Sequence, residues 1–315
     1  MFKLENIESN DELLKTADIQ IRDPFILPVA EQRCYYMYGT TDKEPWGGKA
    51  TGFDAYRSRD LRHWEGPFPV FRPAADFWAD ENFWAPEVHF YKERYYMFAS
   101  FKAELRCRVT QLLVADSPLG PFQPLTNEPL TPFGWECLDG TLYEDAKGTP
   151  WIVYCREWLQ TTDGEIYAQP LQPDLKATAG EPIKLFSATE APWVCETKYK
   201  GSSGYVTDGP YLFRSPQNEL WMLWSSHGKE GYAIGLAKSA SNDIRGPWIQ
   251  ESEPFFRKDG GHGMLFRTFE GQWRLSLHQP NTSPLERAVF LNVQWVNDEP
   301  KIKHETSILG ESNDE

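Results

Sequence analysis

Four carboxylates and one imidazole recur at matching places along this chain. Asp23, Glu87, Asp139, Asp208 and His262 each stand at the start of a short apolar run and beside Pro or Gly: Asp23-Pro24, Ala85-Pro86-Glu87, Asp139-Gly140, Asp208-Gly209-Pro210 and Gly261-His262-Gly263. Carboxylates gathered in one place can do acid–base chemistry, because burial and mutual repulsion raise one pKa while a nearby cation lowers another. A single acid at a turn is ordinarily a solvated cap or an Asx-turn. Four acids in register repel one another, and that cost argues that they are kept for chemistry.

The elements that must position them are five copies of one unit, in which a marker strand, a turn, an aromatic strand and a third strand follow in order. The aromatic strands read Tyr35-Tyr36-Met37-Tyr38, Tyr95-Tyr96-Met97-Phe98, Trp151-Ile152-Val153-Tyr154, Leu220-Trp221-Met222-Leu223-Trp224 and Trp273-Arg274-Leu275. Three copies share a tail ending in Gly66-Pro67, Gly120-Pro121 or Gly246-Pro247, which marks an outer strand. The markers lie 64, 52, 69 and 54 residues apart, the period of a four-stranded propeller blade with its loops. The chain therefore reads as all-β: one five-bladed β-propeller domain over residues 1–315, blades starting near 23, 87, 139, 208 and 262, with a short N-terminal extension. Helix signals are confined to that extension, where Asn10-Asp11-Glu12-Leu13-Leu14 suits one short turn. Inner strands of a propeller line its channel, so the markers converge on one ring. The second strands run back to the same face and bring Thr40, Ser100, Glu157, His227 and His278 near it.

Composition narrows the ligand. A net charge of −14 excludes nucleic acid and an anionic membrane surface as partners. No run approaches the ~20 apolar residues of a membrane span, and Met1-Phe2-Lys3-Leu4-Glu5 lacks a signal pattern. Five scattered cysteines (Cys34, Cys107, Cys137, Cys155, Cys195) read as reduced thiols, so a cytoplasmic location with imported oligosaccharide as substrate is expected. Aromatics favour strands, but 13 Trp exceed what that accounts for, and sugar C–H faces stack on indole.

The ordered set Arg22-Asp23-Pro24, Trp84-Ala85-Pro86-Glu87, Leu138-Asp139-Gly140, Thr207-Asp208-Gly209-Pro210 and Gly261-His262-Gly263 resembles glycoside hydrolase family 43, over roughly Asp18 to Val293. That family comprises five-bladed propellers cleaving arabinofuranosides, xylosides and, in some members, galactans. The resemblance implies Asp23 as general base, Asp139 as the residue that tunes and orients the acid, and a fourth-blade Glu before Gly-Pro as general acid. The chain departs at the last point, carrying Asp208, one methylene shorter. Glu157 is the alternative proton donor and Glu196 a weaker one; Asp208 would otherwise hold a sugar hydroxyl. The family's Gly-His-Gly commonly sits on a calcium or a water cluster, so His262 is expected to hold at most a weak structural calcium or other cation on the axis, with no cofactor required. An inverting pair stands ~6.5–9.5 Å apart to admit water.

The expected activity is thus an inverting glycoside hydrolase acting on plant-derived oligosaccharides, α-L-arabinofuranosidase first, with β-xylosidase or exo-galactanase as alternatives. Substrate contacts are expected from Trp84, Glu87, Trp135, His227 and His278; among the loop tryptophans (Trp46, Trp78, Trp84, Trp135, Trp158, Trp193), Trp84 and Trp135 are the first choices for subsite walls. Loops at Lys43–Ala50 and Arg72–Asn82 could close the funnel into an exo-acting pocket. A non-catalytic lectin-like propeller would share the aromatics without needing three acids. A retaining fructosidase would want Asn before Asp-Pro, where this chain has Arg22.

Overall fold

The computed structural model describes residues 13–303, and these form five antiparallel sheets around a central channel. From the axis outward, blade 1 runs Arg22–Val29, Cys34–Thr40, Phe53–Ser58 and His63–Phe71, with Leu14–Lys15 added outside. Blade 2 is Glu81–Tyr91, Arg94–Ala103, Arg106–Ala115 and Gln123–Pro124; blade 3 is Cys137–Glu144, Pro150–Arg156, Glu165–Pro170 and Ile183–Ser187. Blade 4 is Asp208–Arg214, Leu220–Gly228, Gly231–Ser239 and Trp248–Gln250; blade 5 is Gly261–Arg267, Trp273–Gln279, Arg287–Val296 and Glu299–Ile302. A small hairpin, Thr197–Tyr199 with Ser202–Gly204, is inserted between blades 3 and 4. Of the expected helical turn, residues 10–12 lie outside the described residues, and Leu14 is strand because it pairs with Trp64.

Blades pack face to face, so their strands are covered on both sides and read as continuous apolar runs instead of alternating ones. Cys34–Thr40 is buried at every residue. The core accordingly divides into seams: Phe98, Leu112, Ile152 and Tyr154 between blades 2 and 3; Trp151, Val153, Met222 and Trp224 between 3 and 4; Leu223, Ile234, Leu265 and Leu275 between 4 and 5. A fourth cluster around Tyr35, Met37 and Phe53 joins blade 1 to both neighbours. Most of the tryptophans fill these seams, Trp64, Trp151, Trp221 and Trp224 among them without solvent exposure.

The ring closes side to side between blades 5 and 1. Gln20 bridges Arg287, the Ile21 N–H donates to Glu286 O (3.3 Å), and Ser276 Oγ donates to Pro24 O (2.7 Å). Arg22 adds an ion pair to the buried Glu286 (2.8 Å). This seam passes through the residues around Asp23, so closure and site geometry share the same contacts.

Every innermost strand carries the same irregularity. Pairing with the second strand skips two residues, after Arg22, Trp84, Leu138, Asp208 and Gly261. The first skipped residue is left-handed each time: Asp23 (φ 54°), Ala85 (45°), Asp139 (54°), Gly209 (51°) and His262 (54°). Bulges re-aim side chains beside active sites, and left-handed non-glycine residues, costing of order 1–3 kcal/mol each, concentrate where function needs them.

Candidate active site

The bulges correct the register expected from the sequence. Asp23, Asp139 and His262 occupy equivalent places, but blade 2 puts Ala85 there, with Glu87 two residues further along the strand, opposite Phe98. Glu87 is buried, has His89 Nε2 3.2 Å away and does not line the cavity. In blade 4 the left-handed position belongs to Gly209, and Asp208 enters from one residue earlier. The acids align by type in the sequence; a two-residue bulge shifts which of them the backbone turns inward.

A repeated latch fixes the bulges. The second-strand residue paired with the residue just before each bulge binds the bulge amide of the next blade. Ala85 N–H donates to Thr40 Oγ1, Asp139 N–H to Ser100 Oγ and His262 N–H to Ser225 Oγ, each at 2.9 Å. The Asp23 N–H donates to His278 Nδ1 (3.2 Å). Blade 3 supplies Cys155 at that place, and here the Gly209 N–H donates instead to Asp139 Oδ2 (3.0 Å). Ser100 and His278 are therefore buried supports behind the cavity, His278 a positioning group behind Asp23, while Thr40 is buried but reaches the cavity wall. Glu157 and His227, two residues beyond the latch positions, do line it.

The cavity at this face measures about 800 Å³ and is walled by Arg22, Asp23, Trp46, Trp84, Arg108, Asp139, Glu157, Trp158, Asp208, His227, Tyr232 and His262. Its charges are ordered. Asp23 accepts from Thr40 Oγ1 at Oδ2 (2.8 Å), while His262 Nδ1 lies 3.2 Å from its Oδ1 and 3.8 Å from Asp139 Oδ2. Burial alone would raise the Asp23 carboxyl; His262 and Arg22 outweigh it and hold the group far below the usual carboxylate range. Asp208 goes the other way. Burial, then the neighbouring carboxylates Asp139 and Glu157, push it well above that range. Burial also raises Asp139, against the pull of His262, with Asp23 adding to the rise. Burial would discharge His262, yet Asp23 and Asp139 keep its pKa raised. Two carboxylates thus face one cavity with protonation tendencies split in opposite directions, an arrangement in which one can accept a proton and the other give one.

Glu157 reaches the cavity but is committed. Arg108 Nη1 donates to its Oε2 (2.6 Å) between two nearly buried side chains. Burial raises its pKa and Arg108 opposes that rise. Glu196 is exposed and does not line the cavity.

Three tryptophans, Trp46, Trp84 and Trp158, line the cavity. Trp135 does not: it packs edge-on against Tyr167 (5.0 Å) under the Arg156 guanidinium (4.0 Å), covering the blade 2–3 seam. Trp46, not a first choice from the sequence, stands in the cavity wall beside Trp84. Its loop is anchored where Trp84 Nε1 donates to Pro45 O (2.6 Å), and Trp46 Nε1 donates to Ser283 Oγ (3.3 Å). The indole rests on Arg22 (4.8 Å) and edge-on against Trp84 (5.1 Å), leaving it 51% exposed. Arg72–Asn82 contributes only Glu81 and Asn82 to the lining, while the hairpin residues Thr197–Lys200 complete the rim.

His262 Nε2 is buried and has no hydrogen-bond partner. One ring nitrogen suits a water or a water-rich cation, but among the described residues no group of three His, Cys, Asp or Glu side chains could hold a metal. The donor set does not fit a tightly bound ion. The five cysteines are free, and no helix among the described residues is long and apolar enough to cross a membrane.

The model of glycosyl hydrolases family 43 matches residues 17–300. The chain is also similar to the solved structure of an endo-arabinase from Bacteroides thetaiotaomicron, 43% identical over 91% of this chain and 99% of that one, with a TM-score of 0.86. The fold is shared with an endo-1,4-beta-xylanase from the same organism (22% identity, 93% and 97% covered, TM-score 0.72) and an alpha-L-arabinofuranosidase from Lactobacillus brevis (17%, 94% and 97%, TM-score 0.73).

Proposed function

The chain belongs to glycosyl hydrolase family 43, and from that premise we propose that it hydrolyses α-L-arabinofuranosidic bonds of arabino-oligosaccharides with inversion, using Asp23 as base and Asp208 as acid. The observation that carries this reading is that Asp23 and Asp208 line one cavity in opposite surroundings, Asp23 beside His262 and Arg22 and Asp208 beside Asp139 and Glu157. The arabinose preference rests on similarity to a structure described as an endo-arabinase.

In this reading Asp23, ionised at working pH, takes a proton from water as that water attacks the anomeric carbon. Asp208 gives its proton to the departing glycosidic oxygen. Asp139 holds the Gly209 amide and so fixes the backbone that carries Asp208. Its charge also keeps the acid's proton in place, since a second ionised carboxylate nearby is unfavourable. His262 neutralises the Asp23–Asp139 pair. No step needs a metal or cofactor.

The test is a panel of nitrophenyl glycosides and linear arabino-oligosaccharides, with proton NMR of the first sugar formed. Cleavage of the arabinofuranosyl substrates with the β-anomer appearing first is the expected result. Preferential cleavage of xylosides would move the substrate to the alternative class, and net retention would remove Asp23 as base, since a retaining enzyme needs a nucleophile.

In this reading Trp46 serves as a sugar platform, a role supported by its exposed face at the cavity and by its packing on Arg22 and Trp84. Trp46→Ala should raise KM for arabino-oligosaccharides about tenfold, equivalent to ~1.4 kcal/mol of binding, with kcat little changed. Trp135→Ala is the contrast: it should lower Tm and leave KM alone.

A further inference from the structure

We propose that Tyr232 is a positioning residue that adapts this site to the short acid Asp208, fixing which carboxyl oxygen carries the transferable proton. The proposal rests on Asp208 being the proton donor.

Tyr232 opens the third strand of blade 4, is buried, and donates from its hydroxyl to Asp208 Oδ2 at 2.9 Å. With Oδ2 accepting that bond, the acid proton resides on Oδ1. The ring is held against the paired residues His278 and Gly261 of blade 5. It stacks on His278 at 5.7 Å and 18°, and His278 in turn accepts the Asp23 amide. It also lies over Gly261, where an added Cβ would overlap Tyr232 Cε1 and Cδ1. The glycine before His262 is thus the room that admits the tyrosine. One stack therefore spans the two halves of the chemistry, from the carboxylate that takes a proton to the one that gives it.

The hydroxyl also occupies space that a longer side chain would need. A glutamate at position 208 would carry its carboxyl about 1.5 Å further, toward the phenol oxygen. An aspartate leaves a gap that the phenol spans by hydrogen bonding. Asp208 and Tyr232 are in this sense a matched pair, and the match predicts opposite effects of Tyr232→Phe in the two backgrounds.

The experiment measures pH–rate profiles on an arabino-oligosaccharide and on a dinitrophenyl arabinofuranoside for wild type, Tyr232→Phe, Asp208→Glu and the double variant, with Asp208→Asn as reference. Losing a donor to the carboxylate raises the acid's pKa, so in Tyr232→Phe the alkaline limb should move to higher pH. Its kcat on the oligosaccharide should fall about tenfold, the scale of one hydrogen bond to a charged group, and fall less on the activated substrate. In the Asp208→Glu background the same change should raise activity. Equal loss on both substrates with an unmoved limb, or loss in both backgrounds, would make Tyr232 a packing residue only and overturn the proposal while leaving Asp208 as acid. If Asp208→Asn itself shows no leaving-group dependence, Asp208 is not the acid and the proposal falls with it.

Discussion

Asp23→Asn should lower kcat by about 10²–10⁴-fold, the usual worth of a general base, while the protein still folds and binds arabino-oligosaccharide. Asparagine is nearly isosteric and tolerates the left-handed backbone that Asp23 occupies. It can keep the bond from Thr40 and the Asp23 amide bond to His278. What it cannot do is accept a proton from water. The pH dependence sharpens the test. Because the Asp23 carboxyl is held far below the usual range, the wild-type base stays ionised through mildly acidic pH, and no acid limb near the ordinary carboxylate pKa of ~3.9 should arise from it. The same depression gives a stability signature. A group whose folded pKa is lowered stabilises the native state above its unfolded pKa, and loses that contribution as pH falls through the folded value. The variant should therefore melt below wild type at neutral pH, and the gap should close in strong acid. Activity above half of wild type would remove Asp23 from the mechanism.

The part of this site that could be read from the sequence is the part written in repeats. Five copies of a marker followed by an aromatic strand suffice for the propeller, because burial on both faces makes each second strand a continuous apolar run. They also suffice for Asp23, Asp139 and His262, which occupy equivalent bulge positions. The bulge itself leaves little trace, since the skipped pair is Asp-Pro, Ala-Pro, Asp-Gly, Gly-Pro or His-Gly. Aligning acids with acids therefore put Glu87 in the ring in place of Ala85, and hid that Asp208 arrives from the neighbouring position. Residues that reach the site across blades were harder still. Arg108 leaves one signal, a charge inside the buried run Arg108-Val109-Thr110-Gln111-Leu112, and a buried guanidinium requires a partner. Tyr232 leaves its signal elsewhere in the chain, in the glycine at 261 that makes room for its ring. Trp135 and Trp46 both read as loop aromatics. Only the packing of Trp135 on Tyr167 and Arg156, against the anchoring of the Trp46 loop at Pro45, separates a seam residue from a cavity wall.

Asp208→Asn is expected to slow hydrolysis of arabino-oligosaccharides by about 10²–10⁴-fold and to slow a dinitrophenyl arabinofuranoside far less. A sugar hydroxylate is a poor leaving group and must be protonated as the bond breaks, whereas dinitrophenolate leaves without help. The alkaline limb of the pH–rate profile should also disappear, since that limb is the acid losing its proton. Burial and the Asp139 and Glu157 carboxylates place the Asp208 pKa well above the ordinary range, so the wild-type limb belongs on the alkaline side of that range. The sign of the stability effect follows from the same shift. A carboxyl whose folded pKa is raised favours the native state at low pH, and that advantage is lost as pH rises through the folded value. Asparagine cannot ionise there, so Asp208→Asn should gain Tm relative to wild type as pH increases. Glu157→Gln separates the two candidate donors. Glu157 is ion-paired to Arg108 at 2.6 Å, and that pairing stabilises the carboxylate that a donor must leave behind only after it has first held a proton. Its replacement should leave a buried guanidinium unpaired, lower Tm, and slow both substrates by similar factors. The opposite pattern, leaving-group dependence in Glu157→Gln and uniform slowing in Asp208→Asn, would transfer the proton donation to Glu157 and make Asp208 a residue that holds a sugar hydroxyl.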